Sequence, residues 1–482
     1  MTRGVVSIAG YVPYRRLRRA DVAAVFGSGG GKGARSVASH DEDTTTMGVE
    51  AARLALRSAR GAAPSAVWFA TATPAYLDKT NAATLHAALR QPADVAAFDF
   101  GGALRSGPGA LRTALGAAGT GTTLVVVSDL RDGLPTSADE SAGGDGAAAV
   151  LVGDDAPGTP VIAEYLGGAS LTDEFLDRWR TAGDRRSRTW EERFGETRYV
   201  PLGAEAWQAG LKAAGVTADQ VDRVVVTGMH GRAAKAVGRA LGVRDGVLAD
   251  DLSLTVGQTG AAHAGLVLSA LLEQSAPGEV VAVVSLADGA DVLVFRTTPA
   301  LAAWSAADPV AAQVAAGADL PYGKFLTWRG MVTPEPPRRP EPNRVSASAA
   351  WRNEEWKFGF VGSQDRSSGA VHLPPSRVSM TGGAVDDMVP IDRADAEATI
   401  ATYTIDRLAY SPSPPIVFAV LDFEGGGRFP VELTDVDPDT VDIGDRVTMT
   451  FRKLFTADGI HDYFWKAKPV RTGADSGDTP TD

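Results

Sequence analysis

The stretch FDFGGALRSGPGAL, residues 98–111, has the layout of a site for nucleophilic catalysis. A short apolar strand ends in a glycine-rich corner, and a helix is predicted to follow. A nucleophile at such a corner lies at the positive end of the helix dipole, which lowers the pKa of a thiol. The corner instead offers Ala103, Leu104 and Arg105, and the 482-residue chain contains no cysteine. Ser106 lies next to them, but the sequence shows no base that would activate its hydroxyl.

Two histidines occur where loops or helix ends could bring them to a site. His230 lies just beyond the predicted strand 224–227, at an edge where loops converge. His263 lies at the start of a helix predicted from about Gly260. Imidazole is the most common acid–base group near neutral pH. The alternatives are a solvated loop histidine for His230 and a helix-start histidine facing solvent for His263.

The composition limits the classes of function. Hydrophobic residues make up 44% of the chain and charged residues 22%, which is typical of a soluble globular protein of two or three domains. A net charge of −12 disfavours a nucleic-acid partner, which usually requires a basic surface. The lack of cysteine excludes disulfides, thiolate metal ligands and thiol catalysis.

The N-terminal sequence MTRGVVSIAGYVPYRRLRR does not have the pattern of a signal peptide, because its apolar run is short and basic residues follow it. No apolar run approaches the roughly 20 residues that a membrane-spanning helix needs. We therefore expect a cytoplasmic location without membrane attachment.

Strand and helix patterns alternate along the first 300 residues, which predicts βαβ units and a layered α/β fold. They fall into two series, which indicates an internal duplication. The predicted strands are 5–8, 67–70, 95–100, 124–128, 147–152, 224–227, 280–286 and 292–295. The predicted helices are 46–59, 81–89, 233–241 and 261–273.

The rest of the chain has a different pattern. Residues 333–343, TPEPPRRPEPN, are rich in proline and predict a linker. Short strands separated by turn sequences follow as far as residue 471, which is typical of a small barrel such as an OB-fold. The predicted domains are two α/β halves (1–170 and 171–300), a linker and helical segment (301–355), a separate segment (356–387), the barrel (388–471) and a disordered tail (472–482).

Four segments resemble the thiolase superfamily, specifically hydroxymethylglutaryl-CoA synthase and the related ketoacyl-carrier-protein synthase III branch. They are SVASHDEDTTTMGVEAAR (36–53), the corner at 98–111, GDGAAAVLVGD (144–154) and GQTGAAHAGLVLSALLEQSAPGEVVAVVS (257–285). The resemblance implies a five-layered αβαβα thiolase-like fold with duplicated βαβ halves and a tunnel for the pantetheine arm of CoA. It also implies Claisen-type carbon–carbon chemistry through a cysteine acyl-enzyme.

The functional positions of that family fall on residues that cannot perform the covalent step. The places of the family's cysteine, general-base glutamate and histidine are taken by Leu104 (Ala103 with a one-residue slip), Ala72 and Thr227. His230 takes the place of the asparagine that follows the histidine, and Gln258 that of another asparagine. Gln258 can still donate a hydrogen bond to a thioester oxygen, from a longer side chain. Asp288 lies in a turn near the expected site, where an ordinary turn aspartate is the alternative.

The C-terminal part resembles the zinc-ribbon and OB-fold domain that accompanies acyl-CoA enzymes. The segments that carry this resemblance are GSQDRSSGAVHLPPSRVSM (362–380) and VFAVLDFEGGGRFPVELTDVDPDTVDIGDRVTMTF (417–451). The resemblance places Asp365, Ser368, Ser379 and Gly382 at the four zinc-ligand positions. Serine is rarely a zinc ligand, so we predict a degenerate ribbon at 356–387 without metal. This segment is then expected to depend on packing of Trp356, Phe358 and Phe360, with His372 at the surface.

The cluster Arg15, Arg16, Arg18 and Arg19 follows a predicted strand and precedes a helix. In the superfamily, basic residues near the tunnel mouth contact the CoA phosphates, so the resemblance assigns Arg15, Arg16 and Arg19 to this role. The alternative is a solvated surface run. The arginine-rich residues 177–195 have the same ambiguity, since they are also compatible with an amphipathic helix packed on a dimer.

Two functions follow from these observations and stay open. One is carbon–carbon bond formation or cleavage on CoA thioesters by an aldol-type route, which needs only a base and an oxyanion donor. Its candidate residues are His230, His263, Tyr76 and Gln258. The other is a non-catalytic scaffold that binds and channels intermediates for a partner thiolase, and an active hydroxymethylglutaryl-CoA synthase is the less favoured third. The expected partners are acyl-CoA and either a second copy of the chain or a thiolase, with no cofactor beyond the CoA thioester.

Overall fold

A computed structural model describes residues 2–184 and 186–471. The predicted disordered tail, 472–482, lies outside the described residues. Two compact units make up the described chain, and each consists of segments that are separate in sequence. The first unit contains residues 2–38, 50–83 and 93–322. The second unit contains residues 39–49, 84–92 and 323–471.

The strands and helices are numbered in chain order. The strands are β1 (Arg3–Tyr11), β2 (Arg15–Arg18), β3 (Ala34–Val37), β4 (Ala66–Thr71), β5 (Ala96–Gly101), β6 (Thr123–Asp129), β7 (Gly146–Asp154), β8 (Ala163–Thr172), β9 (Arg178–Trp179), β10 (Arg188–Thr189), β11 (Arg223–Gly228), β12 (Val280–Leu286), β13 (Gly289–Thr297), β14 (Ala318–Asp319), β15 (Val361–Asp365), β16 (Val371–His372), β17 (Met388–Asp392), β18 (Glu397–Asp406), β19 (Ile416–Phe423), β20 (Arg428–Leu433), β21 (Arg446–Ala457) and β22 (Ile460–Pro469). The α-helices are α1 (Arg19–Phe26), α2 (Thr44–Ser58), α3 (Ala82–Ala88), α4 (Ser106–Gly116), α5 (Ala138–Ala142), α6 (Glu192–Ala214), α7 (Gly231–Ala240), α8 (His263–Glu273), α9 (Val310–Ala315), α10 (Tyr322–Trp328), α11 (Ala347–Arg352) and α12 (Glu354–Lys357).

The first unit is built on a nine-stranded sheet with the order β11-β12-β13-β8-β1-β7-β6-β4-β5. Its two halves repeat one topology. Neighbouring strands run β4-β6-β7-β1 in the first half and β11-β12-β13-β8 in the second, and these are the second, fourth, fifth and first strands that each half contributes to the sheet. The third strand of the first half is β5, and a parallel bridge between Val224 and Leu248 takes the equivalent place in the second half. The halves join where β1 pairs with β8, at Gly4–Glu164 and Val5–Ala163. The predicted α/β fold with duplicated halves is confirmed.

Helices cover both faces of this sheet and enclose two apolar cores. One core contains buried residues of α4 and α8, and the other contains buried residues of α6 and α7. Alternating side chains of β11 supply both cores: Val225 lies in the first, whereas Val224 and Val226 lie in the second. This arrangement packs α4 on the same sheet that contains β11.

The segment 177–195 differs from the helix that its alternating aromatic and charged residues suggested. Residues of β9 pair with those of β10, as Arg188–Trp179 and Thr189–Arg178, and α6 begins only at Glu192. Between the two short strands Gly183 has φ +89°, a left-handed conformation that a helix does not contain. Helix α6 has 23 residues, yet no helix in the described ranges combines the length and apolar character needed to cross a bilayer.

The second unit contains a closed five-stranded barrel with the order β18-β19-β20-β22-β21. A separate three-stranded sheet, β16-β15-β17, precedes the barrel in sequence. Phe360 is fully buried and contacts the rings of Phe423 and Phe464, and Trp356 stacks on Phe360. The closed five-stranded barrel confirms the predicted small OB-fold barrel.

A buried ionic cluster lies in the second unit and includes residues from far upstream in the chain. The Arg452 guanidinium is fully buried, with Nη1 2.9 Å from Glu42 and Nη2 2.8 Å from Asp435. Lys466 Nζ lies 3.1 Å from Asp41, which also accepts a hydrogen bond from a barrel threonine. Each of these charges is matched by an opposite charge inside the same unit, so removal of one partner would leave a buried charge uncompensated where residues 39–49 pack on the barrel.

Candidate functional site

A cleft of about 240 Å³ opens in the first unit where α4 begins. Its apolar lining includes Ala72, Ala103 and Leu104. Its charged and polar lining includes Arg131, Arg178, Arg180, Asp177, Asp288, Tyr199 and His230. The structure thus brings together two positions that the resemblance assigns to the catalytic machinery, Leu104 for the cysteine and Ala72 for the glutamate.

Behind the cleft, Leu104 also lines a second cavity of about 10 Å³. Thr227 and Gln258 line this small cavity and are both buried. Thr227 Oγ1 donates a hydrogen bond to Gln258 Oε1 at 3.1 Å. A cavity of this size holds at most about one water molecule. The three side chains that the resemblance assigns to the family's cysteine, histidine and second asparagine positions therefore line one cavity, which they nearly fill.

The corner at the start of α4 is fixed by its own polar groups. Ser106 Oγ donates a hydrogen bond to the carbonyl oxygen of Gly101 at 3.0 Å, so its hydroxyl is used within the turn. Arg105 Nε lies 2.7 Å from the carboxylate of Asp291 on β13, which anchors the corner to the other half of the sheet. Gly107 packs directly on the backbone of Ala261, where a methyl side chain would collide with the carbonyl oxygen.

His230 lines the cleft and forms the N-cap of α7. Its Nδ1 accepts a hydrogen bond from Ala233 N at 3.1 Å, and its Nε2 lies 2.8 Å from the carbonyl oxygen of Glu192. These two bonds define a neutral ring that carries its proton on Nε2. A proton-transfer role for His230 would require one of the two bonds to break.

His263 lines the small cavity and is almost fully buried. Its Nδ1 accepts a hydrogen bond from Thr259 N at 3.1 Å, and its Nε2 lies 2.8 Å from the carbonyl oxygen of Asp251. Burial lowers the pKa of this imidazole, which keeps the ring neutral. His263 thus orders the start of α8. The remaining acid–base candidate is Tyr76, which is not among the lining residues of the cleft.

The arginines that the resemblance assigned to the CoA phosphates do not face solvent as a group. Arg16 is buried and donates to the carbonyl oxygens of Pro13 and Gln313. Arg19 is also buried and donates to the carbonyl oxygens of Lys32 and Ser253, and burial lowers its pKa. Arg15 lies in β2, half-buried, with its guanidinium against the ring of Tyr14. The two buried guanidinium groups stabilise the backbone, because each satisfies carbonyls that would otherwise lack partners.

Two carboxylates lie together on one side of the cleft. Asp177 is buried, and Gly195 leaves room for its carboxylate, since a methyl group there would collide with Oδ1. Asp288 follows β12 in a turn with φ +45°, and its amide donates to Tyr199 Oη at 3.3 Å. Burial raises the pKa of both aspartates. The charge of Arg105 partly offsets this effect on Asp288 and that of Asp177 adds to it, whereas Arg178 partly offsets the effect on Asp177. Of the residues that the structure describes, no lysine or arginine nitrogen lies within 4.0 Å of either carboxylate.

Three guanidinium groups line the rest of the cleft. Arg178 is neutralised by Asp139, with two hydrogen bonds of 2.7 and 2.6 Å. Arg131 is buried, and its Nη1 lies 3.3 Å from Asp129. Arg180 donates from Nη2 to the carbonyl oxygen of Ala72 at 2.6 Å. Burial lowers the pKa of Arg180, and repulsion from Arg131 adds to it.

Sequence reasoning did not name Arg131, and it treated residues 177–195, which contain Asp177, Arg178 and Arg180, only as an arginine-rich segment with alternative interpretations. A usable signal was present, because Arg131 follows β6 and Asp177 follows β8, and functional side chains in α/β folds gather in loops after strands. The arginine-rich composition of 177–195 hid this signal. The cleft as a whole can hold a charged ligand between a guanidinium side and a carboxylate side, next to an apolar corner.

The four predicted zinc-ligand positions lie in the second unit, around the end of β15. The Asp365 carboxylate accepts hydrogen bonds from Ser368 Oγ at 2.5 Å and Ser367 N at 2.8 Å. The hydrogen bonds of Ser368 and then Ser379 lower the pKa of Asp365 to about 2. Gly382 supplies no side-chain donor. A single carboxylate that already accepts hydrogen bonds from serine hydroxyl groups does not fit zinc, which prefers thiolate and imidazole ligands.

His372 differs from its predicted surface position. Its side chain is buried, and Nε2 accepts a hydrogen bond from Met380 N at 3.0 Å. The ring is shielded because β16 pairs with β15, which brings His372 opposite Ser363. His372 therefore orders the loop after β16.

Comparison with known proteins agrees with this architecture. Residues 392–452 match the family described as ChsH2, C-terminal OB-fold domain. Hydroxymethylglutaryl-CoA synthase of Thermococcus gammatolerans is 30% identical over 295 residues, which is 60% of this chain and 83% of that protein. A crystal structure of hydroxymethylglutaryl-CoA synthase complexed with CoA superposes with a TM-score of 0.58 and 18% identity, over 72% of this chain and 94% of that one.

The fold is shared more widely among ketoacyl synthases. The structure of 3-oxoacyl-(acyl carrier protein) synthase III from Pseudomonas aeruginosa superposes with a TM-score of 0.53 and 19% identity, over 62% of this chain and 99% of that one. Each of these three relatives covers only part of the chain, and the OB-fold family matches residues 392–452 near its C-terminus. The chain belongs to the hydroxymethylglutaryl-CoA synthase family of the thiolase superfamily, and its N-terminal thiolase-like fold is joined to a C-terminal OB-fold domain.

Proposed function

We propose that this protein binds CoA thioesters in the cleft beside Leu104 and forms or cleaves a carbon–carbon bond on them by an aldol-type route. The observation that carries the proposal is that the open cleft ends on Leu104, an aliphatic side chain with no attacking atom. The thioester bond therefore stays intact throughout the reaction. The structures of related proteins with CoA and with 3-hydroxy-3-methylglutaryl-CoA support a CoA thioester as the ligand.

An aldol step on such a thioester needs a base and a stabiliser of negative charge. The base removes a proton from the carbon next to the thioester carbonyl, the enolate adds to a second carbonyl, and the new alkoxide takes up a proton. Asp177 and Asp288 are the cleft carboxylates available as bases, and burial raises the pKa of each, which makes the carboxylate more basic. The guanidinium groups of Arg131 and Arg180 can face the enolate oxygen.

The test is to incubate the purified full-length chain with acyl-CoA and hydroxyacyl-CoA esters and follow the thioesters by liquid chromatography and mass spectrometry. We expect turnover, an intact protein mass without acyl adduct, and a loss of about 100-fold or more in Asp177→Asn. Asp245→Asn is the control, because Asp245 is exposed and does not line the cleft. An acyl adduct, or turnover unchanged in both Asp177→Asn and Asp288→Asn, would contradict the proposal.

A second candidate is a scaffold for a partner thiolase. It is favoured by the histidines, since both nitrogens of His230 and of His263 already have hydrogen-bond partners. It is compatible with an edge strand, β5, whose Phe98 is 57% exposed and could meet another chain or a second copy of this one. An isolated chain that is inactive, but that activates a co-purified thiolase, would select this candidate.

A further inference from the structure

The charges that line the cleft do not cancel, and this imbalance leads to an inference that rests on the proposed function. Arg131 and Arg178 are each neutralised by an aspartate that does not line the cleft. The other charged lining residues among those described are one cation, Arg180, and two anions, Asp177 and Asp288. The carboxylate side of the cleft therefore carries negative charge that this part of the chain leaves uncompensated.

We infer that the carboxylate side of the cleft binds an ammonium group carried by the second carbonyl compound of the aldol step. Asp177 is 7% exposed and lines the cleft. Among the described residues, no group donates a hydrogen bond to its carboxylate, and no lysine or arginine nitrogen lies within 4.0 Å of it. A buried carboxylate without a cation is costly, so a ligand cation that pairs with Asp177 removes this cost.

Asp288 is the second carboxylate of this cation site. Burial raises its pKa, the charge of Arg105 partly offsets this effect, and the charge of Asp177 adds to it. The two carboxylates are thus close enough to repel each other. Arg105 is already paired with Asp291, at 2.7 Å, so a ligand cation is the group that can reduce this repulsion.

The position of Asp177 is fixed by its surroundings. Its amide donates to the carbonyl oxygen of Phe175 at 3.2 Å, and its carbonyl oxygen accepts from Trp190 N at 2.8 Å. Gly195 leaves the space for the carboxylate, because a Cβ atom there would lie 2.3 Å from Asp177 Oδ1 and 2.6 Å from His230 Cδ2. The carboxylate is therefore in place before a ligand arrives, which reduces the entropy lost on binding.

The lining favours an organic cation over a metal ion. Trp179 and Tyr199 line the same cleft, and aromatic rings attract organic cations. His230 does not take the place of the cation, because its Nδ1 accepts a hydrogen bond and so carries no proton. A metal ion needs more ligands than two carboxylates, and the described residues contain no group of three or more His, Cys, Asp or Glu side chains that could hold one.

The two sides of the cleft would then separate the two substrates. The enolate of the CoA thioester is negatively charged and is matched by Arg180 on the guanidinium side. The ammonium group of the second carbonyl compound pairs with Asp177, and Asp288, which is the more exposed of the two aspartates, stays available as the base. The substrate class on the carboxylate side is thus an aldehyde or ketone that carries an amine.

The test compares two small probes of the same length, propylammonium chloride and 1-propanol, titrated into the full-length chain at constant ionic strength and followed by ligand-observed NMR. We expect propylammonium to bind about tenfold or more tightly, since hydrogen bonds to charged groups have at least this effect. Asp177→Asn should remove the preference and leave 1-propanol binding within about twofold. Asp245→Asn loses the same charge at an exposed position outside the cleft and should retain the preference.

A second variant keeps the test decisive if Asp177→Asn fails to fold. Gly195→Ala leaves the net charge unchanged but puts a methyl group where the Asp177 carboxylate lies, and it should also reduce the preference. Equal affinity for both probes, or an unchanged preference in Asp177→Asn, would overturn the inference. Displacement of propylammonium by an equal concentration of potassium chloride would overturn it as well, by assigning the site to an inorganic cation.

The inference and the proposed function can fail separately, because the probes contain no thioester. Turnover of CoA thioesters by a chain that does not prefer propylammonium would overturn the inference and leave the proposed function standing. A preference for propylammonium that depends on Asp177, in a chain without turnover, would support the cation site and overturn the aldol reaction.

Discussion

The carboxylates buried in the second unit and those in the cleft of the first unit have opposite surroundings. Burial alone would raise the pKa of Asp41, but the charges of Lys466, His40 and Arg452 outweigh this effect and lower it. Hydrogen bonds lower the pKa of Asp365 to about 2. In both cases the protein itself supplies the partners of the carboxylate, so the ionised form stabilises the fold.

In the cleft, burial raises the pKa of Asp177 and of Asp288, and no cation of the described chain compensates it within 4.0 Å. The folded protein therefore bears the cost of these charges. Groups with strongly perturbed pKa values in a cleft are typical of functional sites, whereas groups whose pKa is shifted by internal partners are typical of structural networks. The two sets of carboxylates thus differ in whether a cation of the chain lies against them: Asp41 has Lys466 and Arg452, whereas Asp177 and Asp288 have none within 4.0 Å among the described residues.

The strongest expected effect is on the ionic cluster of the second unit. Arg452→Met leaves Glu42 and Asp435 without their buried cation, and we expect a loss of about 3–5 kcal/mol in the free energy of unfolding. The measurement is urea unfolding of the full-length chain followed by tryptophan fluorescence. Arg428→Met is the matched control, because the Arg428–Asp422 pair is exposed and should contribute less than about 1 kcal/mol. Equal losses in the two variants would show that the cluster is not structural.

A smaller loss is expected at the hydrogen-bonded turn that occupies the predicted zinc positions. Asp365→Asn removes the acceptor of Ser368 and Ser379 and should lower the unfolding midpoint at pH 7. Because the folded pKa of about 2 lies below the ordinary value of 3.8, the ionised carboxylate stabilises the fold above about pH 4. This contribution is lost as the pH falls from about 4 to about 2, so wild type and variant should converge there.

Addition of a chelator such as EDTA checks the same region without a substitution. We expect no change in the unfolding midpoint, because the hydrogen bonds of Asp365 replace the ligands of a metal. An unfolding midpoint that falls with EDTA and recovers with zinc would contradict the conclusion that the residues around Asp365 do not bind zinc.

Thr227→Val tests the small cavity behind the cleft. The substitution removes the donor to Gln258 Oε1 and should cost about 1 kcal/mol, since a buried oxygen is left without its partner. The double variant Thr227→Val/Gln258→Met removes both partners and should cost less than the two single changes together. Thermal unfolding of the three variants gives this comparison, and strict additivity would show that the two side chains do not act as a pair.

The smallest expected effect has the opposite sign. The pKa of Asp177 is raised in the fold, so the stability linked to it is present below the ordinary aspartate pKa and is lost as the pH rises through the folded pKa. Asp177→Asn should therefore be as stable as wild type at low pH and more stable by about 0.5–1 kcal/mol at pH 7. Unfolding at pH 4 and pH 7 measures the difference. Destabilisation at pH 7 would place Asp177 among the structural carboxylates.

Much of the fold could be predicted because its elements have strong local periodicity. The run VVAVVSL was predicted as the strand that β12 forms, and the HMG-CoA synthase resemblance led to Leu104, Thr227 and Gln258, which line one cavity. The cleft residues were missed because Arg131 and Asp177 stand among many surface charges, and only the tertiary structure shows that they are buried together. The hydrogen bonds of His230 and His263 could not be predicted either, because their acceptors are backbone carbonyls of Glu192 and Asp251, which are distant in sequence.

The second unit is formed by separate segments of the chain, so a single cut in the sequence cannot release it intact. The OB-fold family match covers residues 392–452 only, yet the folded unit also takes in residues 39–49, which begin with the sequence SHDED. A fragment cut within the proline-rich stretch 333–343 keeps Arg452 but loses two of the three acidic groups around it. The barrel is thus not a portable module, and a chimaera that exchanges it with a relative's barrel would have to carry the SHDED segment along.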